Sequence, residues 1–321
     1  MRKIVDDIRL IYKCCSLYYE DNLGQDQIAE YLGISKSSVS RLLSAGRKSG
    51  IVEVTVHHAS QFMYEDMARE IMKKYSLHDV IVAESSPLDS QEDRISKLHD
   101  RACGYLDLLL KDGDYVGVSL GSTLRNIAHS SLECRKRNCT FVPLVGGMGL
   151  DEAQSGNVAA AFAEKFGGKA IPFYSPALFS NEALMREFFK EDSVKHIFDY
   201  YAKLSTVISG FRYMHDSGLK NLTVEKMGFV TREDSEEYAN KGAVANFVLR
   251  FIDKNGDTGP FDEFNRRVAG ISLDQYRKVQ NRIIVTDGTG KTDIIKACIE
   301  AGYANILIID VDCARELLSS P

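Results

Sequence analysis

The sequence predicts an α/β protein in which a small helical head precedes a larger domain built on a doubly wound, mostly parallel sheet. Three observations support this prediction: two short amphipathic helical segments near the N-terminus, an alternation of short apolar segments with helical segments after residue 75, and glycine-rich turns after three of the apolar segments. We expect the head to span residues 1–57 and the larger domain residues 58–321. A chain of 321 residues is long enough for both domains.

Composition and charge are those of an ordinary globular protein, with 44% hydrophobic and 26% charged residues. Residues 1–60 contain eight Lys and Arg against seven Asp and Glu, a net charge of +1. Because the whole chain carries −5, the remainder carries −6. This charge argues against a large domain that binds nucleic acid by itself.

The cysteines and the N-terminus indicate a reduced, cytoplasmic protein. Seven cysteines, an odd number without regular spacing, are typical of free thiols. Cys134 and Cys139 have no second pair of ligands nearby, so we predict no metal site, and we predict no cofactor. The N-terminal MRKIVDD does not resemble a signal peptide and no apolar run has membrane-spanning length, so we expect no membrane partner.

The segment Leu23–Gly50 is typical of two helices joined by a tight turn. In the first helix, apolar Ile28, Ala29 and Leu32 recur at the spacing of one buried face. Gly33 follows where the chain must turn sharply. This arrangement predicts a short helix that packs against the helix after it.

The second helix is predicted to begin after Ser35, whose side chain can cap the first turn. Val39, Leu42 and Leu43 form its buried face, and the residues between them are polar or basic. In a helix-turn-helix, one face of this helix packs on the first helix and the other meets phosphates and base edges in the major groove. We therefore predict DNA contacts at Gln25, Ser35, Lys36, Ser37, Ser38, Ser40, Arg41, Arg47 and Lys48.

The neighbouring segments favour DNA binding over the alternative, an ordinary helical hairpin with a solvated polar face. Asp7–Tyr19 supplies the apolar residues of a supporting helix. Ile51–Val56 alternates apolar and polar residues, which predicts a strand that forms a wing beside the motif. Four basic residues and no acidic residue lie between Gly33 and Gly50, and phosphate contacts require such local positive charge.

The larger domain is predicted from its alternation of strands and helices, which indicates a mostly parallel sheet covered on both faces. Phe62–Tyr75 is either a linker helix or the first helix of this domain. The predicted strands are Asp79–Glu84, Tyr115–Leu120, Thr140–Val145, Ala170–Tyr174, Thr206–Gly210, Arg282–Thr286 and Asn305–Asp310. The predicted helices lie near residues 91–111, 123–132, 155–167, 181–203, 234–252, 291–301 and 311–319.

Three glycine-rich turns stand out in this domain, because ligands of such sheets bind beyond the carboxyl ends of the strands. In GVSLGSTL (117–124), free N–H groups and two hydroxyls at a helix start predict an anion site, and the alternative is a plain strand-to-helix turn. In FVPLVGGMG (141–149), two glycines allow a ligand or another chain segment to approach closely. The third turn, IIVTDGTGKTDII (283–295), places Lys291 at a helix start.

The third turn resembles part of a phosphate-binding loop of nucleoside triphosphatases, G-x-x-x-x-G-K-[ST]. The leading glycine of that motif would stand five residues before Gly290, where this sequence has Val285. Too little chain follows for the usual nucleotide-binding core. We therefore interpret Lys291 as a single positive charge at a helix start, suited to one phosphate or carboxylate.

Several segments together resemble a known family, the SorC/DeoR-type sugar-responsive transcriptional regulators of bacteria, over nearly the whole chain. LYYEDNLGQDQIAEYLGISKSSVSRLLSAGRKSGIVEV is similar to the head of that family, and GVSLGSTL, FVPLVGGMG, GAVANFVLRFIDKNG and GTGKTDIIKACIEAGYANILIID are similar to its effector domain. The resemblance implies binding to a palindromic operator as a homodimer or homotetramer. It also implies a domain that resembles sugar-phosphate isomerases but senses a sugar, usually a phosphorylated one, without turnover.

The resemblance further implies a set of effector-binding residues. Val145 stands where some relatives have a basic residue for phosphate contact or an imine, so an imine at this position is excluded and an unphosphorylated sugar or polyol stays open. Leu120 replaces a tryptophan, which we expect to change packing only, and Asn246 stands where many relatives carry an acidic residue. The implied residues are Gly121, Ser122 and Thr123 with Lys291 for the phosphate, Gly146, Gly147 and Asn157 for the sugar, and Asn246.

We therefore predict a DNA-binding regulator of a carbohydrate-utilisation operon, controlled by a sugar or sugar-phosphate effector. The alternative is a sugar-phosphate isomerase-like enzyme with an N-terminal DNA-binding appendage. An enzyme needs a base within reach of the substrate carbon. The turns offer hydroxyls, amides and one lysine, and we interpret the nearest acids, Asp287 and Asp310, as strand-end or capping residues.

Overall fold

The structure, a computed structural model, describes residues 7–52, 60–86, 88–147, 155–213 and 230–320. The chain forms two compact units, Met1–Ala59 and Ser60–Pro321. Each unit has its own buried apolar core. The boundary between them lies two residues after the predicted one.

The first unit contains three helices, α1 (Ile8–Tyr19), α2 (Gln25–Leu32) and α3 (Lys36–Lys48). Gly33 ends α2 at φ +66°, the left-handed conformation that glycine adopts at low cost. Ser35 caps α3 by accepting the N–H of Ser38. The predicted helix–turn–helix geometry is therefore confirmed.

Apolar side chains from all three helices form the core of the head. Burial raises the pKa of the Cys14 thiol to about 11, so this cysteine is a protonated core residue. Gly46 lies so close to α1 that an added Cβ would overlap Sγ of Cys15, which explains a glycine inside α3. The buried residues are Ile11, Cys14, Cys15, Ile28, Val39, Leu42 and Leu43.

The predicted wing is described only in part. Ile51 and Val52 are half-buried against the head core and do not form a strand. The rest of the predicted strand, 53–56, lies outside the described residues. The wing therefore stays a prediction.

The second unit begins with α4 (Ser60–Tyr75) and contains ten described strands in two sheets. In chain order they are β1 (Asp79–Ala83), β2 (Tyr115–Val118), β3 (Cys139–Pro143), β4 (Gly168–Ala170), β5 (Thr206–Ser209), β6 (Phe211–Tyr213), β7 (Ala243–Phe247), β8 (Arg250–Asp253), β9 (Asn281–Thr286) and β10 (Ile306–Asp310). The large sheet has the order β1-β10-β9-β5-β2-β3-β4, and all its pairs are parallel. The predicted doubly wound sheet is confirmed.

Helices cover both faces of the large sheet. Helix α4 packs on β1, and the other described helices of this unit are α5 (Gln91–Leu109), α6 (Ser122–Ala128), α7 (Ser155–Phe166), α8 (Glu182–Phe188), α9 (Asp192–Lys195), α10 (Ile197–Tyr201), α11 (Arg232–Asn240), α12 (Asp262–Asn265), α13 (Leu273–Arg277), α14 (Thr292–Glu300) and α15 (Val311–Ser319). Of these, α11 and α12 contact β7 and β8 of the small sheet. Alternate residues of β10 enter different cores, Leu307 on the side of α4, α14 and α15, and Ile308 on the side of α5, α6 and α7. Burial on both faces is the reason that the strands are continuous apolar runs.

Helix α4 is the first helix of the large domain, which decides between the two interpretations of this segment. The Tyr75 hydroxyl donates to the carbonyl of Leu317 in α15 at 2.8 Å, and the Tyr64 hydroxyl donates to the carbonyl of Ser85 at 3.0 Å. Ile71 is fully buried in the domain core. No helix among the described residues is long and apolar enough to cross a membrane.

The predicted helix at 234–252 is wrong beyond residue 240. Gly242, at φ +91°, follows the end of α11, and β7 and β8 then form an antiparallel hairpin that pairs with β6. Alternate residues of β7 are buried, as in a strand, although the sequence AVANF itself does not alternate apolar and polar residues. Two smaller predictions also differ, since 181–203 forms three short helices and the strand predicted at 170–174 is Gly168–Ala170.

Candidate functional site

A cavity of ≈ 350 Å³ opens at the carboxyl ends of β2, β5 and β9, which are neighbours in the large sheet. In the sheet, β3 and β4 lie on one side of β2, whereas β9 and β10 lie on the other side, beyond β5. The cavity therefore lies at a topological switch point, where ligands of open α/β sheets bind. Its described lining consists of Ser119, Leu120, Gly121, Ser122, Thr123, Leu124, Gly210, Phe211, Arg212, Asn246, Val248, Leu249, Val285, Thr286, Asp287 and Lys291.

The turn from β2 into α6 forms one wall of the cavity. Gly121 has φ +131°, a conformation that side-chain-bearing residues rarely adopt, and this allows the chain to enter α6 directly after the strand. Ser122 and Thr123 are the first residues of α6, so their N–H groups have no acceptor inside the helix. These three predicted residues therefore lie together in the cavity with two hydroxyls and the start of a helix.

Lys291 supplies a positive charge from the turn after β9. Its Nζ donates to the Asp287 carbonyl oxygen and lies 3.3 Å from Asp287 Oδ1, and the lysine side chain is 27% exposed. An anion in the cavity can replace the Asp287 carboxylate as the partner of the Lys291 ammonium group. Burial lowers the pKa of nearby His99, and the negative charge of Asp287 opposes that shift, so this histidine is neutral at pH 7.

The antiparallel sheet forms the opposite wall. Arg212 of β6 and Asn246 of β7 are paired across the two strands, and both line the cavity. The Nδ2 group of Asn246 is buried and has no hydrogen-bond partner among the described residues. Because an unpartnered buried donor is costly, a ligand oxygen that accepts from this amide would stabilise the site. Arg212 was missed by the sequence analysis, and the only signal was the apolar–basic alternation in GFRY.

The hairpin turn between β7 and β8 is strained. Val248 and Leu249 both have positive φ, +45° and +64°, and both are almost fully buried at the cavity wall. Two-residue hairpin turns with this geometry ordinarily contain Asn and Gly, and a β-branched residue there is an outlier. Such strain persists only where the surrounding structure enforces it.

The buried guanidinium of Arg250 enforces this turn. Arg250 is 7% exposed and donates to the carbonyls of Val248 at 3.1 Å and Val268 at 3.4 Å. Burial lowers its pKa to about 10, which still leaves a cation at pH 7. This cation therefore ties the strained turn to the segment around Val268.

Three of the predicted effector residues are not part of the described lining. The N–H groups of Gly146 and Gly147 donate to the carbonyls of Ala269 at 3.0 Å and Ser175 at 2.8 Å, so neither is available to a ligand. A Cβ at Gly146 would overlap the carbonyls of residues 175 and 176, so close packing explains this glycine. Asn157 is exposed on α7.

The glycine turn after β9 does not bind phosphate in the manner of a triphosphatase loop. The N–H of Gly288 donates to Asp310 Oδ2 at 2.9 Å, and that of Gly290 donates to Glu316 Oε2 at 2.8 Å. A phosphate-binding loop uses such N–H groups for its ligand. Asp310 also caps α15, as predicted. No group of three or more His, Cys, Asp or Glu among the described residues is placed to hold a metal ion.

The polar face of α3 is the candidate nucleic-acid surface. Arg41 is exposed, and its Nε donates to the carbonyl of Ser37 at 3.2 Å. Lys36 is exposed and pairs with Asp26 of α2 at 2.8 Å, a surface pair that a phosphate can replace at small cost. Ser38 does not belong to this face, because it is 6% exposed and its hydroxyl contacts that of Ser35.

The other predicted contacts of the head differ in exposure. Gln25 is half-buried at the start of α2. The exposed residues of the predicted set are Ser35, Lys36, Ser37, Ser40, Arg41, Arg47 and Lys48.

Replacement of Leu249 tests the strain in the hairpin turn. Leu249→Gly and Leu249→Ala remove nearly the same side-chain atoms, but only glycine adopts the left-handed backbone conformation without strain. A matched pair at Leu108, which is 77% exposed in α5, should instead favour alanine. For each position we subtract the unfolding free energy of the Ala variant from that of the Gly variant, both measured by urea denaturation. This difference should be larger at residue 249 than at residue 108 by about 1–2 kcal/mol. Equal differences at the two positions would show an unstrained turn.

Comparisons with known proteins agree with this architecture. The family model described as "Putative sugar-binding domain" matches residues 61–319. The deoxyribonucleoside regulator of Bacillus subtilis is 28% identical over 315 residues, 97% of each chain, and the sorbitol operon regulator of Klebsiella pneumoniae is 27% identical over 323 residues, 98% of each chain. The crystal structure of the full-length sorbitol operon regulator SorC from Klebsiella pneumoniae superposes with a TM-score of 0.71 at 25% identity and covers 98% of this chain and 99% of that chain. The chain belongs to this sugar-binding-domain family and is a SorC/DeoR-type transcriptional regulator, not an enzyme.

Proposed function

We propose that this protein controls a carbohydrate-utilisation operon, with the polar face of α3 on operator DNA and the effector in the cavity at the ends of β2, β5 and β9. The observation that carries the proposal is the convergence of an anion-binding turn, Lys291, Arg212 and the unpartnered Asn246 amide in one cavity. The relatives' names, a sorbitol operon regulator and a deoxyribonucleoside regulator, support a carbohydrate effector.

A phosphorylated sugar fits the charges of the cavity better than a free sugar does. Val145 offers no amine and is fully buried, paired with Gly270 away from the described lining. Arg212 supplies a second cation from a different strand, so the absence of a basic residue at 145 does not leave Lys291 alone. Among the described lining residues two are basic, Arg212 and Lys291, and one is acidic, Asp287, a composition that favours an anion. The free sugar or polyol is the weaker candidate.

The response to effector requires a difference in affinity between two states of the protein. A ligand changes DNA binding only if it binds the DNA-competent and DNA-incompetent states unequally. The strained Val248–Leu249 turn and the unpartnered amide of Asn246 are the groups of the lining that gain most from an occupant. We propose that they report occupancy of the cavity.

One experiment tests the proposed function as a whole. The purified protein is mixed with its own upstream DNA and a panel of sugars and sugar phosphates, and band shift, thermal stability and turnover are followed together. A ligand at a thousandfold excess over Kd should raise the stability by roughly 4 kcal/mol and change the band shift. Turnover of a sugar phosphate without any band shift would instead support an isomerase-like enzyme.

The proposed operator complex is symmetric. One helix-turn-helix reads only a short half-site, so specific binding needs a homodimer or homotetramer on a palindromic operator. The described apolar side chains of α4, including Ile71, pack inside their own domain. Light scattering at micromolar concentration should give at least a dimer, and a monomer with and without DNA would contradict this assembly.

Removal of Arg41 tests the DNA-reading face. Arg41→Ala should weaken operator binding by about 1–3 kcal/mol and relax sequence preference, because an exposed cation of the recognition helix is lost. Arg9→Ala in α1 removes the same charge from the same unit and is the matched control. Fluorescence anisotropy on specific and scrambled DNA measures both variants. Equal losses for the two would mean that only the overall charge of the head matters.

Removal of Lys291 tests the effector site. Lys291→Ala should weaken binding of a phosphorylated effector by tenfold or more, about 1.4 kcal/mol, and weaken a free sugar less, because the hydroxyl contacts remain. Lys278→Ala, an exposed lysine outside the cavity, is the control. Isothermal titration gives both affinities, and DNA binding without effector should be unchanged. Equal losses for the two ligands would make Lys291 a structural residue.

A further inference from the structure

We propose that Cys103 and Cys134 form a dithiol site that a hydroperoxide oxidises to an intramolecular disulfide. Their Sγ atoms lie 3.2 Å apart although the residues are 31 positions apart in sequence. Cys103 is buried in α5, whereas Cys134 is partly exposed in the segment between α6 and β3. The pair therefore combines one thiol that an oxidant can reach with a second thiol already in contact with it.

Contacts on both sides of the sulfur pair hold the segment after α6 against α5. Ser130 Oγ donates to Asp100 at 2.6 Å, Leu132 packs on Gly104, and Arg135 and Arg137 pair with Asp107 at 3.1 and 2.7 Å. A disulfide needs an Sγ–Sγ distance of about 2.05 Å, so closure requires a shift of only about 1 Å. Side-chain rotation can supply this shift while the backbone stays in place.

The remaining cysteines have no comparable partner. Among the described residues, no other two sulfur atoms are in hydrogen-bond contact. Cys139 Sγ donates to the carbonyl of Lys111 at 3.3 Å. Cys298 and Cys313 are buried in the domain core, and burial raises the pKa of both thiols. The oxidation should therefore be selective for one pair.

The chemistry assigns a different role to each sulfur. Burial, with a smaller contribution from Cys134, raises the pKa of the Cys103 thiol to about 12, so Cys134 is the sulfur that attacks the peroxide. Its thiolate takes one oxygen from hydrogen peroxide and gives a sulfenic acid, and the second peroxide oxygen leaves as water. Cys103 sulfur then attacks the sulfenic sulfur, and its proton leaves with the hydroxyl as a second water. The two thiols lose two electrons and the peroxide gains them.

Peptide mapping of peroxide-treated full-length protein tests this proposal. After oxidation, remaining thiols are alkylated and the protein is digested with trypsin. The expected product is residues 102–111 linked to residues 126–135, lighter by two hydrogens than the two reduced peptides and separated by dithiothreitol. The oxidised protein should also melt at a higher temperature, because the cross-link constrains the unfolded chain.

Two variants make the result specific to this pair. Cys134→Ser should abolish the linked peptide, and Cys139→Ser, which alters the other cysteine of the same region, should keep it. Conversion of Cys134 to a sulfinic or sulfonic acid while Cys103 is alkylated as a free thiol would overturn the proposal. So would complete alkylation of both cysteines in the peroxide-treated folded protein. Neither outcome depends on the identity of the effector or of the operator.

Discussion

The parallel pairing of β5 with both β2 and β9 is the constraint on which the rest of the structure depends. It brings together three strand ends that are separated by about ninety and eighty residues in the chain. Gly117 of β2 makes the pairing possible, because a Cβ there would overlap side chains of Leu144 and Val207. At the ends of these strands, the turn into α6, the entry to β6 and the turn with Lys291 then necessarily meet.

The cavity at this point is built from groups in unfavourable local states. The hairpin turn has two consecutive positive φ angles without glycine, and a charged Arg250 is buried among carbonyl groups. In the described part of the chain, the amide nitrogen of Asn246 is buried without a partner. Each of these costs free energy that the surrounding fold must offset. Such features are concentrated at sites where a ligand improves the balance, which is the physical argument for placing the effector here.

The two units divide the chemistry of regulation between them. In the described part of the head, seven buried apolar residues form a small core, and α3 presents positive charge. The large domain carries the negative net charge of the chain and places two basic residues, Arg212 and Lys291, at its cavity. Two separate positive surfaces suit the proposed function, because DNA phosphates and the proposed phosphorylated effector are both anions.

The sequence by itself determined the features that depend on local patterns. The apolar periodicity of α2 and α3, the cap at Ser35, the turn at Gly33 and the alternation of buried strands with helices each depend on residues close together in the chain. The turn into α6 at Gly121 and the positive charge of Lys291 were predicted for the same reason, and the anion site that they would form stays a prediction. The resemblance of whole segments to SorC/DeoR-type regulators then supplied the function.

Only the tertiary structure decided which of these local features share a site. Gly146 was an effector candidate by sequence, yet its neighbours show that close backbone packing is its role. The hairpin in residues 243–253 was predicted as a helix because its residues have no turn sequence, and Arg250 holds a turn that local preference opposes. Arg212 entered the cavity through pairing with a strand more than thirty residues away. Contacts between distant segments override local propensity, and the residues of one segment do not specify them.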